Sequence, residues 1–159
     1  MKVLFVCSGN ICRSPMAEAY LRHRIADAGL SHAVVASAGT LGIEGSPASR
    51  EAVEVLAEAG VDLSNHRSAG LRNADLRTSD LVLVMALEHL ASIEQMAVDP
   101  AGEVHLLREF EHGPDPRPGA EDVDDPIGRP IEVYRRQFEQ IRVCVDHVLI
   151  RLRSFTPGP

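Results

Sequence analysis

VLFVCSGNICRSPMAEAYL, residues 3–21, decides how the rest of the chain is read. An apolar run ends on Cys7, passes through Ser8-Gly9-Asn10, reaches Arg13 and at once meets Ser14-Pro15. The run, Lys2 to Val6, reads as a buried strand. Ser14-Pro15 supplies an N-cap and a first-turn proline for a helix to about Ala28, where Gly29 stops it. A core strand needs no such ending. A loop joining a strand to a helix N-terminus aims successive backbone N–H groups inward, and the helix dipole adds positive potential. Ser8, Gly9 and Asn10 permit tight or left-handed backbone, and Arg13 adds a planar grip on two oxyanion oxygens. The field that holds a phosphate dianion also favours the thiolate form of a cysteine within it. Nucleophile and oxyanion site thus coincide at Cys7. A bare C-x5-R would more simply be a strand-end cysteine and a solvated arginine. Here strand, loop residues and helix start stand in the right order around it.

Working outward, apolar runs alternate with helical patterns. Val34 to Ser37 is a second β-branched run, ended by Ala38-Gly39. Ser46-Pro47 opens a helix carrying Val53, Leu56 and Ala57 on one face and ending at Gly60. Leu81 to Met85 reads as a buried strand with a helix from about Leu87 to Met96 behind it, and Val104 to Leu107 as a fourth strand. Residues 111–130, EHGPDPRPGAEDVDDPIGRP, form a Pro-, Gly- and Asp-rich loop. Then Ile131, Tyr134, Phe138, Ile141, Val145, Val148 and Leu152 recur at spacings of three and four, one apolar face of a long helix. A coiled-coil seam is the rival reading, but packing on the chain's own sheet is preferred. Strands alternating with helices imply an α/β fold, a parallel sheet with helices on both faces. Such sheets bind ligands beyond the carboxyl ends of their strands, where Cys7 lies.

The bulk properties bound the function. The 159 residues fit one domain, assigned to 1–153, with a frayed tail at 154–159. Apolar residues are 45% and aromatics only 4%, so the core is aliphatic. The net charge of −7 argues against nucleic acid or an anionic membrane as a general partner. No apolar run approaches a membrane span, and MKVLFVCSGN is too short before its turn for a signal peptide. Cys7, Cys12 and Cys144 match neither a secreted disulfide framework nor a common zinc spacing, which points to cytoplasmic thiols.

V-C-S-G-N-I-C-R-S-P-M-A-E, residues 6–18, closely resembles the signature of the low-molecular-weight protein-tyrosine-phosphatases. The resemblance continues through Ser37-Ala38-Gly39, His66-Arg67-Ser68, Ser79 to Met85 and Asp125-Pro126. It implies a small four-stranded parallel sheet flanked by helices, with the phosphatase loop at the end of the first strand. It also implies phosphomonoester hydrolysis through a cysteinyl-phosphate, with no metal or other cofactor, on a phosphorylated protein. Cys7 would be the nucleophile, and residues Ser8, Gly9, Asn10, Ile11, Cys12 and Arg13 would hold the phosphate or a similar oxyanion. Asn10, Ser14, Ser37 and His66 would support the loop; Ser14 could equally be a helix cap and His66 an ordinary exposed histidine. Oxidation would pair Cys7 with Cys12 and protect the nucleophile; otherwise Cys12 merely packs against the sheet. Met16, Tyr20 and Leu21 read as core.

The leaving group needs a proton and the attacking water needs a base. Of three Asp-Pro pairs, Asp99, Asp115 and Asp125, the last precedes the long helix and matches the family's acid loop; Asp124 and Asp115 are rivals. The family usually carries an aromatic after this Asp-Pro, whereas this chain has Ile127, which puts affinity for phosphotyrosine in question more than catalysis. Family members acting on phosphoarginine resemble one another in carrying Thr where this chain has Ile11. Its apolar side chain favours an aryl leaving group, hence phosphotyrosine over phosphoarginine, although the DPIG loop resembles the phosphoarginine branch. A thioredoxin-coupled arsenate reductase would need resolving cysteines, and Met85-Ala86-Leu87-Glu88-His89 contains none. A non-catalytic phosphate-binding module would need neither thiolate nor acid.

Overall fold

A computed structural model describes residues 1–155. Four strands, β1 (Lys2–Cys7), β2 (Val34–Gly39), β3 (Leu81–Val84) and β4 (Glu103–Leu106), form one parallel sheet in the order β2-β1-β3-β4. Five helices connect and flank them: α1 (Arg13–Ala28), α2 (Arg50–Glu58), α3 (Asn73–Thr78), α4 (Leu87–Gln95) and α5 (Ile131–Ser154). A 3-10 turn, Leu107–Phe110, follows β4.

The central strands are apolar without alternation because both of their faces are buried. Val3, Phe5, Leu81 and Leu83 pack with Met16, Leu21, Ile141 and Val145 on one side of the sheet. Leu4, Val6, Val82 and Val84 pack with Leu76 and Ile93 on the other. The three-and-four spacing from Ile131 belongs to α5, which buries Tyr134, Phe138, Ile141, Val145, Val148 and Leu152 against α1, α2 and the 3-10 turn, in one apolar cluster with Val3, Phe5, Leu81 and Leu83 of the sheet. It packs on its own domain and needs no coiled-coil partner. No helix among the described residues is long and apolar enough to cross a membrane.

Two helix starts differ from the sequence reading. α1 begins at Arg13 with Cys12 as N-cap, so Ser14 and Pro15 lie inside the first turn and Ser14 caps nothing. Its hydroxyl is engaged elsewhere, by Asn10 and Cys7. α2 begins at Arg50, capped by Ser49 accepting from the Ala52 amide, rather than at Ser46-Pro47. Ser46 is held outside the helix by exchange with Ser68: the Ser68 amide donates to the Ser46 carbonyl at 2.7 Å, and the Ser46 amide to Ser68 Oγ at 2.9 Å. α3 has only Leu76 buried over six residues, too little for a periodic signal. α5 closes on Ser154, and of the tail expected at 154–159, residues 156–159 lie outside the described residues.

The strand order places the chain's reversal between β1 and β3. The loop after β1 runs toward β2 on one side, and the segment after β3 runs toward β4 on the other. Between their carboxyl ends opens the crevice in which α/β sheets bind ligands.

Candidate active site

The loop after β1 is held from outside by its carbonyls. The carbonyls of Cys7, Ser8 and Ile11 accept from the amides of Thr40 (2.9 Å), Leu41 (3.0 Å) and Ser49 (2.8 Å). The Asn10 carbonyl accepts from His66 Nε2 at 2.7 Å. The amides of residues 9–12 find no acceptor in the protein among the described residues. With four carbonyls engaged by the surrounding protein and four amides left without acceptors, the loop at the head of α1 carries the donors that an anion cradle needs.

Asn10 is its keystone. It is 1% exposed and sits at φ 55°, a left-handed backbone that asparagine tolerates better than most residues. Its Nδ2 donates to Ser14 Oγ (2.8 Å) and Ser37 Oγ (2.9 Å), while its Oδ1 accepts from the Ala69 amide (2.9 Å). Ser37 in turn donates to Glu18. Because Ser14 Oγ accepts from Asn10, its own hydrogen is left for Cys7 Sγ, 2.9 Å away. Gly39 must be glycine: a Cβ there would lie 2.6 Å from the Ser8 carbonyl oxygen and 3.0 Å from the Asn10 nitrogen.

Arg13 is buried, and its Nη1 donates to the Val123 carbonyl at 2.8 Å. Its Nη2 lies 3.6 Å from Asp125 Oδ2, whose side chain is 45% exposed. The segment before α5 therefore reaches back to the β1 loop. Cys7, Ser8, Gly9, Ile11, Cys12, Arg13, Asp125 and Ile127 line one cavity of about 220 Å³, together with Leu41 and Ile43. The rivals for the acid stand elsewhere: Asp115 is exposed 3.9 Å from Arg151, and Asp124 is exposed and does not line the cavity.

All three cysteines are free and buried. Cys12 Sγ lies 3.4 Å from both Ser49 Oγ and Tyr134 Oη, and burial raises its thiol above the ordinary value. Burial likewise raises the Tyr134 phenol. Cys144 sits in the core on α5, its thiol pushed up to about 12 by burial.

The site also holds groups that the sequence reading missed. Leu41 and Ile43 form an aliphatic wall from the loop after β2; both are large, apolar and exposed, within TLGIEG. Val123 contributes through its backbone, which no side-chain pattern reveals. His89, read only as part of a helix, is 1% exposed with Nε2 2.9 Å from Ser8 Oγ.

The family profile described as "Low molecular weight phosphotyrosine protein phosphatase" matches residues 2–154. The chain belongs to this family. A protein-arginine-phosphatase of Geobacillus stearothermophilus is 35% identical over 96% of this chain and 97% of its own length. A low molecular weight protein-tyrosine-phosphatase of Streptomyces coelicolor is 37% identical over 99% and 96%. The crystal structure of a low molecular weight protein tyrosine phosphatase from T. tengcongensis is 41% identical and superimposes with a TM-score of 0.85, covering 95% of this phosphatase and 99% of that chain.

Proposed function

We propose that this phosphatase hydrolyses phosphotyrosine in proteins through a cysteinyl-phosphate on Cys7. One observation carries the reading: Cys7, the loop that follows it, Arg13 and Asp125 converge on a single cavity whose remaining walls are Ile11, Leu41, Ile43 and Ile127. The phosphoryl group sits in the cradle with Arg13 gripping two of its oxygens. Cys7, as thiolate, attacks phosphorus in line with the ester oxygen, and the phosphorus–oxygen bond breaks. Asp125 gives its proton to the departing phenolate. Its carboxylate then takes a proton from the water that attacks the thiophosphate, releasing inorganic phosphate and restoring the thiolate. Asn10, Ser14, Ser37 and His66 hold the loop in shape throughout. No step calls for a metal. Three buried thiols suit a reducing, cytoplasmic compartment.

The four aliphatic walls favour an aryl leaving group. Among the described residues, a guanidinium leaving group would meet one carboxylate in the cavity, Asp125, which already faces Arg13. The 35% identity to a protein-arginine-phosphatase supports phosphoarginine as the second reading. Initial rates on phosphotyrosine, phosphoarginine and phosphoserine peptides in the presence of chelator, for wild type, Cys7→Ser and Ile11→Thr, test both. Phosphotyrosine should be preferred, Cys7→Ser inactive and Ile11→Thr shifted toward phosphoarginine. Preference of the wild type for phosphoarginine overturns the assignment of substrate, and turnover by Cys7→Ser overturns that of the nucleophile.

A further inference from the structure

His89 is a fully buried histidine with both ring nitrogens engaged, and nothing in the chemistry above uses it. It lies in the first turn of α4, at the carboxyl end of β3, across the crevice from the β1 loop. Nδ1 accepts from the Ala86 amide at 3.0 Å, so the hydrogen of the neutral ring sits on Nε2. Nε2 therefore donates to Ser8 Oγ at 2.9 Å. A hydroxyl that accepts a hydrogen bond keeps its own hydrogen to give. The protein offers Ser8 only one weak acceptor among the described residues, Glu88 Oε1 at 3.4 Å, on an exposed side chain. The other direction open to Ser8 is the cavity it lines with Cys7 and Arg13.

The same junction holds the acid-bearing segment. The Leu87 amide donates to Asp122 Oδ1 at 2.8 Å, and the Val123 amide to the Met85 carbonyl at 2.7 Å. Val123 is also the residue whose carbonyl receives Arg13. Five consecutive residues after β3, Met85 to His89, thus touch both the cradle and the segment leading to Asp125.

We infer that His89 is a positioning residue for phosphoryl transfer: by occupying an acceptor lone pair of Ser8 it makes that hydroxyl a fixed donor to an oxygen of the bound phosphoryl group. The inference rests on the proposed phosphatase chemistry and adds to it a hydrogen bond that the loop amides and Arg13 do not provide. Neutrality of the ring is part of the device, since the Ala86 amide needs an acceptor at Nδ1. Burial, and then the nearby charge of Arg13, bring its pKa down to about 4, against the opposing pull of Glu88, Asp122 and Asp125.

The test uses the full chain, with p-nitrophenyl phosphate as substrate and inorganic phosphate as ligand, in wild type, Ser8→Ala, His89→Leu, His89→Gln and Ser8→Ala/His89→Leu. Ser8→Ala and His89→Leu should each lower kcat/KM and phosphate affinity about tenfold, the scale of one hydrogen bond to an anion. The double variant should be no worse than either single, and His89→Gln, which retains an N–H for Ser8, should recover most of the loss. Nitrogen-15 shifts of the resting enzyme should report the Nε2–H tautomer. Multiplicative losses in the double variant, wild-type phosphate affinity in Ser8→Ala, or an Nδ1–H tautomer each overturn the inference. Should His89→Leu not fold, Ser8→Ala and the tautomer still decide it. A wild-type protein that binds phosphate but never turns over the aryl ester instead overturns the catalytic reading beneath it.

Discussion

Replacing Asn10 by alanine tests whether the cradle is held by that one side chain. The substitution removes two donated bonds, to Ser14 and Ser37, and one accepted bond, from the Ala69 amide. Each contributes about 1 kcal/mol net, and more where the abandoned partner stays buried. Alanine must also be held at φ 55°, which costs roughly 1 kcal/mol beyond what asparagine bears there. Together these make about 4 kcal/mol, or roughly 8–16 °C in Tm for a chain of this size. Glycine loses the same bonds without the left-handed penalty, so Asn10→Gly should be more stable than Asn10→Ala by about 1 kcal/mol. Urea unfolding followed by far-ultraviolet circular dichroism, with kcat measured on the folded fraction, reads both quantities. The kcat of both variants should fall, since Ser14 loses the partner that turns its hydrogen toward Cys7. A loss below about 1 kcal/mol for alanine, or glycine less stable than alanine, would refute the reasoning.

Asp125→Asn should lower kcat on phenyl phosphate by roughly two to three orders of magnitude, and less on p-nitrophenyl phosphate, whose leaving group needs no acid; equal losses on the two esters would remove Asp125 from the proton transfer. Ile127→Phe should lower KM for phosphotyrosine peptides about two- to tenfold by adding a ring-on-ring contact of about 0.5–1.5 kcal/mol, and an unchanged KM would place the substrate ring elsewhere. Acid stability should carry the signature of His89. The unfolded chain takes up a proton near pH 6.5, whereas the folded ring resists until about 4, so stability present above the first value is lost as pH falls toward the second. Urea midpoints from pH 7 to pH 4 should therefore decline more steeply for wild type than for His89→Gln; parallel curves would contradict it.

The alternation of strand and helix was legible because both faces of β1 and β3 are buried, which writes them as uninterrupted apolar runs. The loop of Cys7 to Arg13 was legible because a tight turn between a buried strand and a helix head constrains residue types locally. Legibility stopped where the work passes to the backbone or to distant pairing. Val123 meets Arg13 through its carbonyl, while its buried side chain reads only as packing. Ser14 reads as a cap, but its hydroxyl lies between Asn10 and Cys7, a geometry set by a left-handed residue four positions earlier. Ser46-Pro47 resembled a helix start because the competing exchange with Ser68 lies 22 residues away. His89 was hidden for a further reason. A histidine on an apolar helix face is ordinarily core, and only its partner Ser8, 81 residues distant, distinguishes it.

Arg13 meets Val123 across 110 positions of sequence, and Cys12 meets Tyr134 across 122. Such pairings are formed late and slowly by a folding chain, because the intervening loop must close before either contact is rewarded. A nascent or truncated polypeptide that already displays CSGNICR would therefore be catalytically silent. Recovery of turnover during refolding is then a clock for completion of the whole tertiary structure, whereas helical signal alone would return earlier.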